Sequence, residues 1–270
     1  MTVREIEKRY ADAGIDDARF EARITAEYLT GKSAAELLAD PGILISGEKA
    51  EDFVRRRCER YPLQYLIGEW DFCGMTFSLT EDCLIPRPDS ETVAECAARH
   101  LKKDGKVLDL CTGTGCILAG TLRLSGNTRG TAVELYPKTA EVARKNLADL
   151  GFDCEVIVGD ATTDLFPAET KFDVITANPP YVTKDEMSGL EPELAHEPRT
   201  ALTDGGDGLS IIGKIIEIYK NHLAPDGVMI IEHGAAQAEA VAQIACKNGM
   251  TSEVIRDYGG HDRAAVMRKK

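Results

Sequence analysis

No stretch of the chain approaches the roughly 18 consecutive apolar residues that a membrane-spanning helix requires, and the opening Met1-Thr2-Val3-Arg4-Glu5-Ile6 has no apolar core of a secretion signal. A cytoplasmic protein with no membrane partner is the expectation. Basic charge is also scarce. The net charge is −13, with 11 Lys+Arg against 17 Asp+Glu up to position 85 and 21 against 28 after it. Neither part carries the basic stripe by which a protein grips a nucleic-acid backbone, so no direct nucleic-acid substrate is expected. The run Arg55-Arg56-Arg57 with Arg60 reads as a solvated helix face. The eight cysteines, among them Cys111 and Cys116, never fall into a C-x-x-C pair and match no zinc spacing. They read as free thiols in a reducing compartment, and no metal is expected. Internal repeats and low-complexity segments are absent as well.

What is present is an ordinary globular composition, 43% hydrophobic and 29% charged, long enough for a small domain attached to a larger one. The start of the chain reads as helix after helix. Gly14 ends a first helix, Asp16 can cap a second, Gly31 can end it in a left-handed conformation, and Ser33-Ala34-Ala35-Glu36 has capping-box spacing. Pro62 then stops the pattern. From Trp70 to Leu84, short apolar runs broken by Gly74 and Glu81-Asp82 suggest a β-hairpin connector. Ile85-Pro86-Arg87-Pro88 reads as a stiff extended lead-in, because each proline fixes its own φ and biases its predecessor away from the helix. Beyond residue 105, short β-branched runs alternate with amphipathic segments, the pattern of a parallel α/β sheet. The predicted organisation is a helical bundle over 1–68, a hairpin connector over 69–85 and a Rossmann-like α/β domain over 86–270.

Three strand ends carry acids. Val107-Leu108-Asp109-Leu110 runs into the small-residue turn Cys111-Thr112-Gly113-Thr114-Gly115. This is not a Walker A loop, since no Gly-Lys-Ser/Thr follows, and it lacks the third glycine of the full dinucleotide fingerprint. A second strand ends at Glu134, placed to accept from ribose hydroxyls, and a third at Asp160, placed to accept from an adenine amino group. Together they predict an adenosyl group as occupant, held by Asp109, the turn residues 111–115, Glu134 and Asp160.

A fourth strand, Phe172 to Ala177, delivers Asn178-Pro179-Pro180-Tyr181. Two consecutive prolines remove two backbone donors and lock two φ angles, so this loop is built to accept hydrogens. An amide or aniline-like NH2 is a poor nucleophile because its lone pair is delocalised. If the Asn178 side-chain oxygen and the Pro179 carbonyl each accept one N–H, the lone pair is freed to meet an electrophilic methyl, with catalysis supplied by positioning and fixed dipoles. Tyr181 offers a flat face for a planar group, with its hydroxyl at the rim. Asn178, Pro179 and Tyr181 are the expected catalytic residues, and Asn178 to Tyr181 the expected substrate site.

With these blocks in view, the chain resembles the PrmC/HemK family of peptide-chain release-factor glutamine methyltransferases over nearly its whole length. Pro62 to Gly68, Leu84 to Glu91, Asp109 to Gly115, Asn178 to Tyr181 and Glu197-Pro198-Arg199-Thr200-Ala201-Leu202 stand in the family's order. The resemblance implies a class I, Rossmann-like, S-adenosylmethionine-dependent methyltransferase. It also implies N5-methylation of the glutamine in the Gly-Gly-Gln motif of class I release factors, with the helical domain helping to hold that partner. Asn178, Pro179 and Tyr181 match the positions that hold the glutamine amide, while Gly113, Gly115, Glu134 and Asn178 fall among the cofactor contacts. One departure is Cys111, where the family usually has Gly. Asn-Pro-Pro-Tyr is shared with nucleic-acid adenine-N6 methyltransferases, the alternative reading; the Ile-Pro-Arg-Pro block and the helical domain distinguish the two.

Overall fold

Capping signals in the first part of the chain produce five helices: α1 (Val3–Asp12), α2 (Ala18–Thr30), α3 (Ala34–Ala39), α4 (Glu48–Cys58) and α5 (Leu63–Ile67). The computed structural model describes residues 1–270. Helix α1 opens on a capping box between Thr2 and Glu5, and α3 on the same box between Ser33 and Glu36, each satisfying amides that a bare helix start leaves open. Gly31 ends α2 with φ of 67°. Two local expectations fail. The residue at the start of α2 is Asp17, not Asp16, and it makes no side-chain cap bond. Pro62 does not end the helical region but precedes α5 at its N-cap, where a missing amide hydrogen removes no helical bond.

Ile6 and Tyr10, Ala18, Ala22 and Ala26, and Ala50 and Val54 recur every four residues and form the buried stripe of this helical unit. At the end of α4, Arg57 is 3% exposed and donates to Glu21 (2.5 and 3.0 Å) and to Glu193 (2.8 Å). Glu193 lies far along the chain. Residues Glu191–His196 fold with Met1–Glu69 as one unit, and the His196 ring centroid lies 5.1 Å from that of Tyr61. The sequence pattern had assigned this hexapeptide to the larger domain.

The second unit comprises Trp70–Leu190 and Glu197–Lys270. Strands β1 (Glu69–Phe72) and β2 (Met75–Ser78) form a hairpin whose two turn residues, Cys73 and Gly74, both have positive φ, 49° and 67°, which matches the twist of a tight hairpin. A seven-stranded sheet follows, built from β3 (Val107–Leu110), β4 (Arg129–Glu134), β5 (Asp153–Val158), β6 (Phe172–Ala177), β7 (Leu223–Glu232), β8 (Met250–Arg256) and β9 (Asp262–Lys269) in the order β5-β4-β3-β6-β7-β9-β8. The first five are mutually parallel, while β9 runs antiparallel to β7 and β8. Helices α6 (Glu91–His100), α7 (Cys116–Ser125) and α8 (Pro137–Asp149) connect or precede the first strands, and α9 (Arg199–Leu202), α10 (Ser210–Tyr219) and α11 (Ala238–Lys247) follow β6.

Alternate residues of each central strand pack on opposite faces. Val107, Ala132 and Val174 meet Val93, Leu118 and Leu147 on one side. Leu108, Val133 and Ile175 meet Ile212, Ile216 and Val241 on the other. The chain builds outward from β3 to β5 and then returns to β6 on the far side of β3. That reversal opens a crevice beyond the carboxyl ends of β3 and β6, where α/β sheets bind their ligands. No helix is long and apolar enough to cross a membrane.

Within the helical unit, Arg57→Ala strands the Glu21 carboxylate in partial burial and leaves Glu193 with Arg60 alone. We expect a loss of about 3 kcal/mol, the scale of removing one partner of a buried ion pair, in urea unfolding of the full chain. A change below about 0.5 kcal/mol, the scale of a surface substitution, would show that the pair is solvated and does not anchor residues 191–196.

Candidate active site

A cavity of ≈ 270 Å³ occupies this crevice. Of the residues singled out from sequence, Cys111, Thr112, Gly113, Thr114, Glu134, Asp160, Asn178 and Pro180 line it; Asp109, Gly115, Pro179 and Tyr181 do not. Each exclusion has a physical reason. Asp109 lies on the helix-covered face of β3, 1% exposed, in register with Thr176 of β6. Its Oδ1 accepts from the Thr176 hydroxyl (2.6 Å) and its Oδ2 from the Thr112 hydroxyl (2.5 Å). Burial pushes its carboxyl up to about 6, with the two threonine bonds opposing. Asp109 is therefore a post beneath the turn, not a ligand contact. Gly115, at φ of 82°, faces α8, where a Cβ would meet Leu147 Cγ at 3.2 Å.

The turn itself is held open by left-handed residues, Cys111 at φ of 56° and Gly113 at 57°. A Cβ on Gly113 would meet nothing within 4 Å, so its surroundings are free for a ligand. Cys111 adopts a conformation that costs a side-chain-bearing residue about 1–2 kcal/mol. Burial pushes its thiol well above the ordinary range, so it stands in the wall as a neutral group.

Glu134 ends β4 with its carboxylate aimed at the turn. Oε2 accepts from the Gly113 amide and Oε1 from the Tyr136 amide, both at 3.0 Å. Each carboxylate oxygen has a second lone pair, so two acceptor sites remain for hydroxyl donors. Burial raises this carboxyl while those amides pull it down. Asp160 lines the cavity and closes a local turn, its Oδ1 accepting from the amide and hydroxyl of Thr162 (2.8 and 2.7 Å).

The Asn178–Tyr181 loop is braced from behind. The Val182 amide donates to the Leu202 carbonyl (2.8 Å), the Lys184 amide to that of Gly206 (2.9 Å), and Gln237 Nε2 to the Tyr181 carbonyl (3.0 Å). Gly208 has φ of 72°, and a Cβ there would fall 1.9 Å from the Tyr181 carbonyl oxygen, so only glycine allows the two segments this close. The Tyr181 hydroxyl is not at the rim as expected. It points inward and donates to Glu232 Oε1 (3.2 Å), and burial beside that carboxylate raises the phenol. Pro179 is buried, and Pro180 presents the loop's apolar wall. Asn178 donates from Nδ2 to Ser90 Oγ at 3.5 Å.

Sequence reasoning passed over several residues that shape the cavity. Glu197, 6% exposed, accepts from the Ile85 amide (3.0 Å) and the Arg87 guanidinium. It thereby ties the Ile85-Pro86-Arg87 wall to the wall that begins at Pro198. Only its place in the Glu197 to Leu202 block signalled it. Ser90 was signalled only by its place in the Leu84 to Glu91 block, and Glu232 only as an acid that closes an apolar strand.

Comparison with known proteins places these features in a context. The PrmC N-terminal domain model matches residues 2–68, and the methyltransferase small domain model matches residues 90–224. The release factor glutamine methyltransferase of Neisseria gonorrhoeae is 32% identical over 252 residues, covering 92% of each chain. That of Bordetella pertussis is 35% identical, covering 94% of this chain and 95% of its own. That of Cereibacter sphaeroides is 36% identical, covering 96% and 94%. Among solved structures, a methyltransferase from Pyrococcus furiosus matches 72% of this chain and 88% of its own, with TM-score 0.54 and 18% identity. The ribosomal protein L11 methylase of Lactobacillus delbrueckii matches 70% and 82%, with TM-score 0.50 and 18% identity. These two speak for the fold alone.

Two outcomes test the site's framework. Because the folded Asp109 carboxyl lies above its unfolded value, the native state binds the extra proton, and this group's contribution to stability is present at low pH and lost as pH rises through about 6. Relative to Asp109→Asn, the wild type is expected to gain unfolding free energy as pH falls from 7 to 5; a flat difference would show the carboxyl is not raised. Gly208→Ala should push the Tyr181 carbonyl away and lower turnover at least about tenfold, the cost of misplacing a positioned group. Unchanged turnover would remove the proposed brace.

Proposed function

The chain belongs to the release factor glutamine methyltransferase family, and on that premise we propose that it methylates the N5 nitrogen of the glutamine in the Gly-Gly-Gln motif of class I peptide-chain release factors. The fold is that of a class I S-adenosylmethionine-dependent methyltransferase, and the methyl donor is S-adenosylmethionine. The observation that carries the site assignment is the orientation of Asn178: with Nδ2 turned to Ser90, its Oδ1 is left to accept an N–H at the cavity wall.

The residues present fit the donor. Glu134 retains two lone pairs for the ribose hydroxyls, Asp160 Oδ2 is free for an adenine amino group, and the surroundings of Gly113 are open. When bound, the donor supplies a methyl group on a positively charged sulfur, which a neutral nucleophile can attack. Asn178 Oδ1 and a carbonyl of the proline pair accept the two N–H groups of the glutamine amide. That arrangement turns the nitrogen lone pair out of conjugation and toward the methyl. The loop's prolines contribute no competing donor. As the C–N bond forms, the methyl–sulfur bond breaks and its electron pair stays on sulfur as a neutral thioether; the nitrogen then sheds its extra proton to water, so no side chain has to act as a strong base. None of the five histidines lines the cavity. Pro180 supplies an apolar side for the planar amide, and burial of Tyr181 keeps the loop rigid.

The acidic balance of the chain favours a protein acceptor over a phosphate backbone. Labelled S-adenosylmethionine incubated with a purified release factor is expected to label it, and the label should vanish when the Gly-Gly-Gln glutamine is replaced by alanine. Label that survives the replacement, or preferential transfer to tRNA or DNA in a parallel tube, would defeat the reading. Asn178→Ala should lower turnover at least about 100-fold, the scale of losing a positioned polar group in a dry site. Retained activity would end its assigned role.

A further inference from the structure

The register that pairs Ala177 with Ile231 sets the next two residues, Asn178 and Glu232, at adjacent strand ends. Glu232 is 1% exposed. Its Oε1 accepts from Tyr181, while its Oε2 is fully buried without a bonded donor. The Ser90 hydroxyl and the Arg263 guanidinium stand beside this carboxyl. Arg263 is itself anchored by Asp89 and Asp257, both at 2.8 Å, and stands beside the Tyr181 phenol. Ser90, 2% exposed, is the group that accepts from Asn178 Nδ2. A buried carboxylate is costly and is weak support for stability, so its presence under the loop calls for another account.

Counting protons supplies one. Burial raises the Glu232 carboxyl, while Ser90, Arg263 and Tyr181 favour its charged form, in which it can only accept; a serine hydroxyl has a single hydrogen. With its proton aimed at the unsatisfied Oε2 of Glu232, Ser90 would meet Asn178 with a lone pair. Only the NH2 half of the Asn178 amide fits that lone pair. We propose that Ser90 and Glu232 are positioning residues that fix which way the Asn178 amide faces, holding Nδ2 inward and Oδ1 toward the substrate nitrogen. The inference rests on the glutamine-methylation reading above. It deepens that reading by accounting for an asymmetry that the Asn178-Pro179-Pro180-Tyr181 loop cannot set by itself, since the two ends of a primary amide have nearly the same shape. Tyr181 enters the same chain from the other side. Its proton goes to Glu232 Oε1, which leaves Oε2 as the acceptor for Ser90.

The test uses a near-isosteric change. In Glu232→Gln an NH2 replaces the acceptor facing Ser90, the serine proton turns toward Asn178, and the asparagine amide flips to present a donor to the substrate. Turnover is expected to fall at least about tenfold, with KM for cofactor and release factor within about threefold and the melting temperature unchanged or higher, because a buried charge has been removed. Ser90→Ala should also lower turnover about tenfold in the wild-type background and cause no further loss in the Asn178→Ala background, the signature of acting through that residue. Wild-type turnover in Glu232→Gln, or a Ser90→Ala loss repeated in full on top of Asn178→Ala, would overturn the proposal. A loss carried by KM or by a lower melting temperature would overturn it too, as a merely structural effect. If the wild type fails to label the release factor, the functional reading falls and the inference with it. If it labels normally while Glu232→Gln is unaffected, only the inference falls.

Discussion

A single buried carboxylate joins the two halves of the site. Asp109 receives one hydroxyl from the turn after β3 and another from the carboxyl end of β6, so the turn that lines the cavity and the strand that delivers Asn178 are tied to one point. This bond sits where the chain reverses its direction of growth across the sheet. An apolar residue there would fill the face equally well, but it would leave the Thr112 hydroxyl without its acceptor and the turn without an anchor. The crevice owes its position to strand order and its fixed shape to this carboxylate.

From that anchor outward, several groups at or beside the cavity have their other valences occupied from behind. Glu134 is held by two backbone amides, Asp160 by Thr162, and the Tyr181 carbonyl by Gln237. Ile85 and Arg87 are fastened by Glu197. A reaction that depends on aligning a weak nucleophile with a methyl group gains most from such rigidity, because the barrier is lowered by arrangement and not by a proton acceptor of matched affinity.

Much of this was legible in the chain's text. The alternation of short β-branched runs with amphipathic segments marked the strands, and the four strand-end motifs converge in the fold because a parallel sheet gathers its carboxyl ends on one edge. What escaped reading was depth and direction. Asp109 and Glu134 are both acids near strand ends and on the same face of the sheet, yet Asp109 stands level with Ala132, two residues short of Glu134, so one lies beneath the turn and the other reaches the cavity. Tyr181 was placed at the rim because nothing local shows that a carboxylate fifty-one residues later lies beneath it. Ser90, Gly208 and Gln237 act through contacts that are distant in sequence, and no short-range motif carries that information. Residues 191–196 were misassigned for the same reason, since their partners Arg57 and Tyr61 lie more than a hundred positions earlier.

That hexapeptide bears on how the molecule can be taken apart. Because Glu191–His196 is packed with the helical unit while the segments on both sides belong to the other, the polypeptide enters that unit twice. A cut after Glu69 does not yield two self-sufficient pieces. The larger fragment keeps a short stretch whose ionic and aromatic partners have been taken away, and the smaller one keeps Arg57 with half its counter-charge. The helical part is therefore not an interchangeable cassette: exchange between homologues by recombination at one boundary would graft it onto a foreign hexapeptide, and the two stretches must change together over evolutionary time.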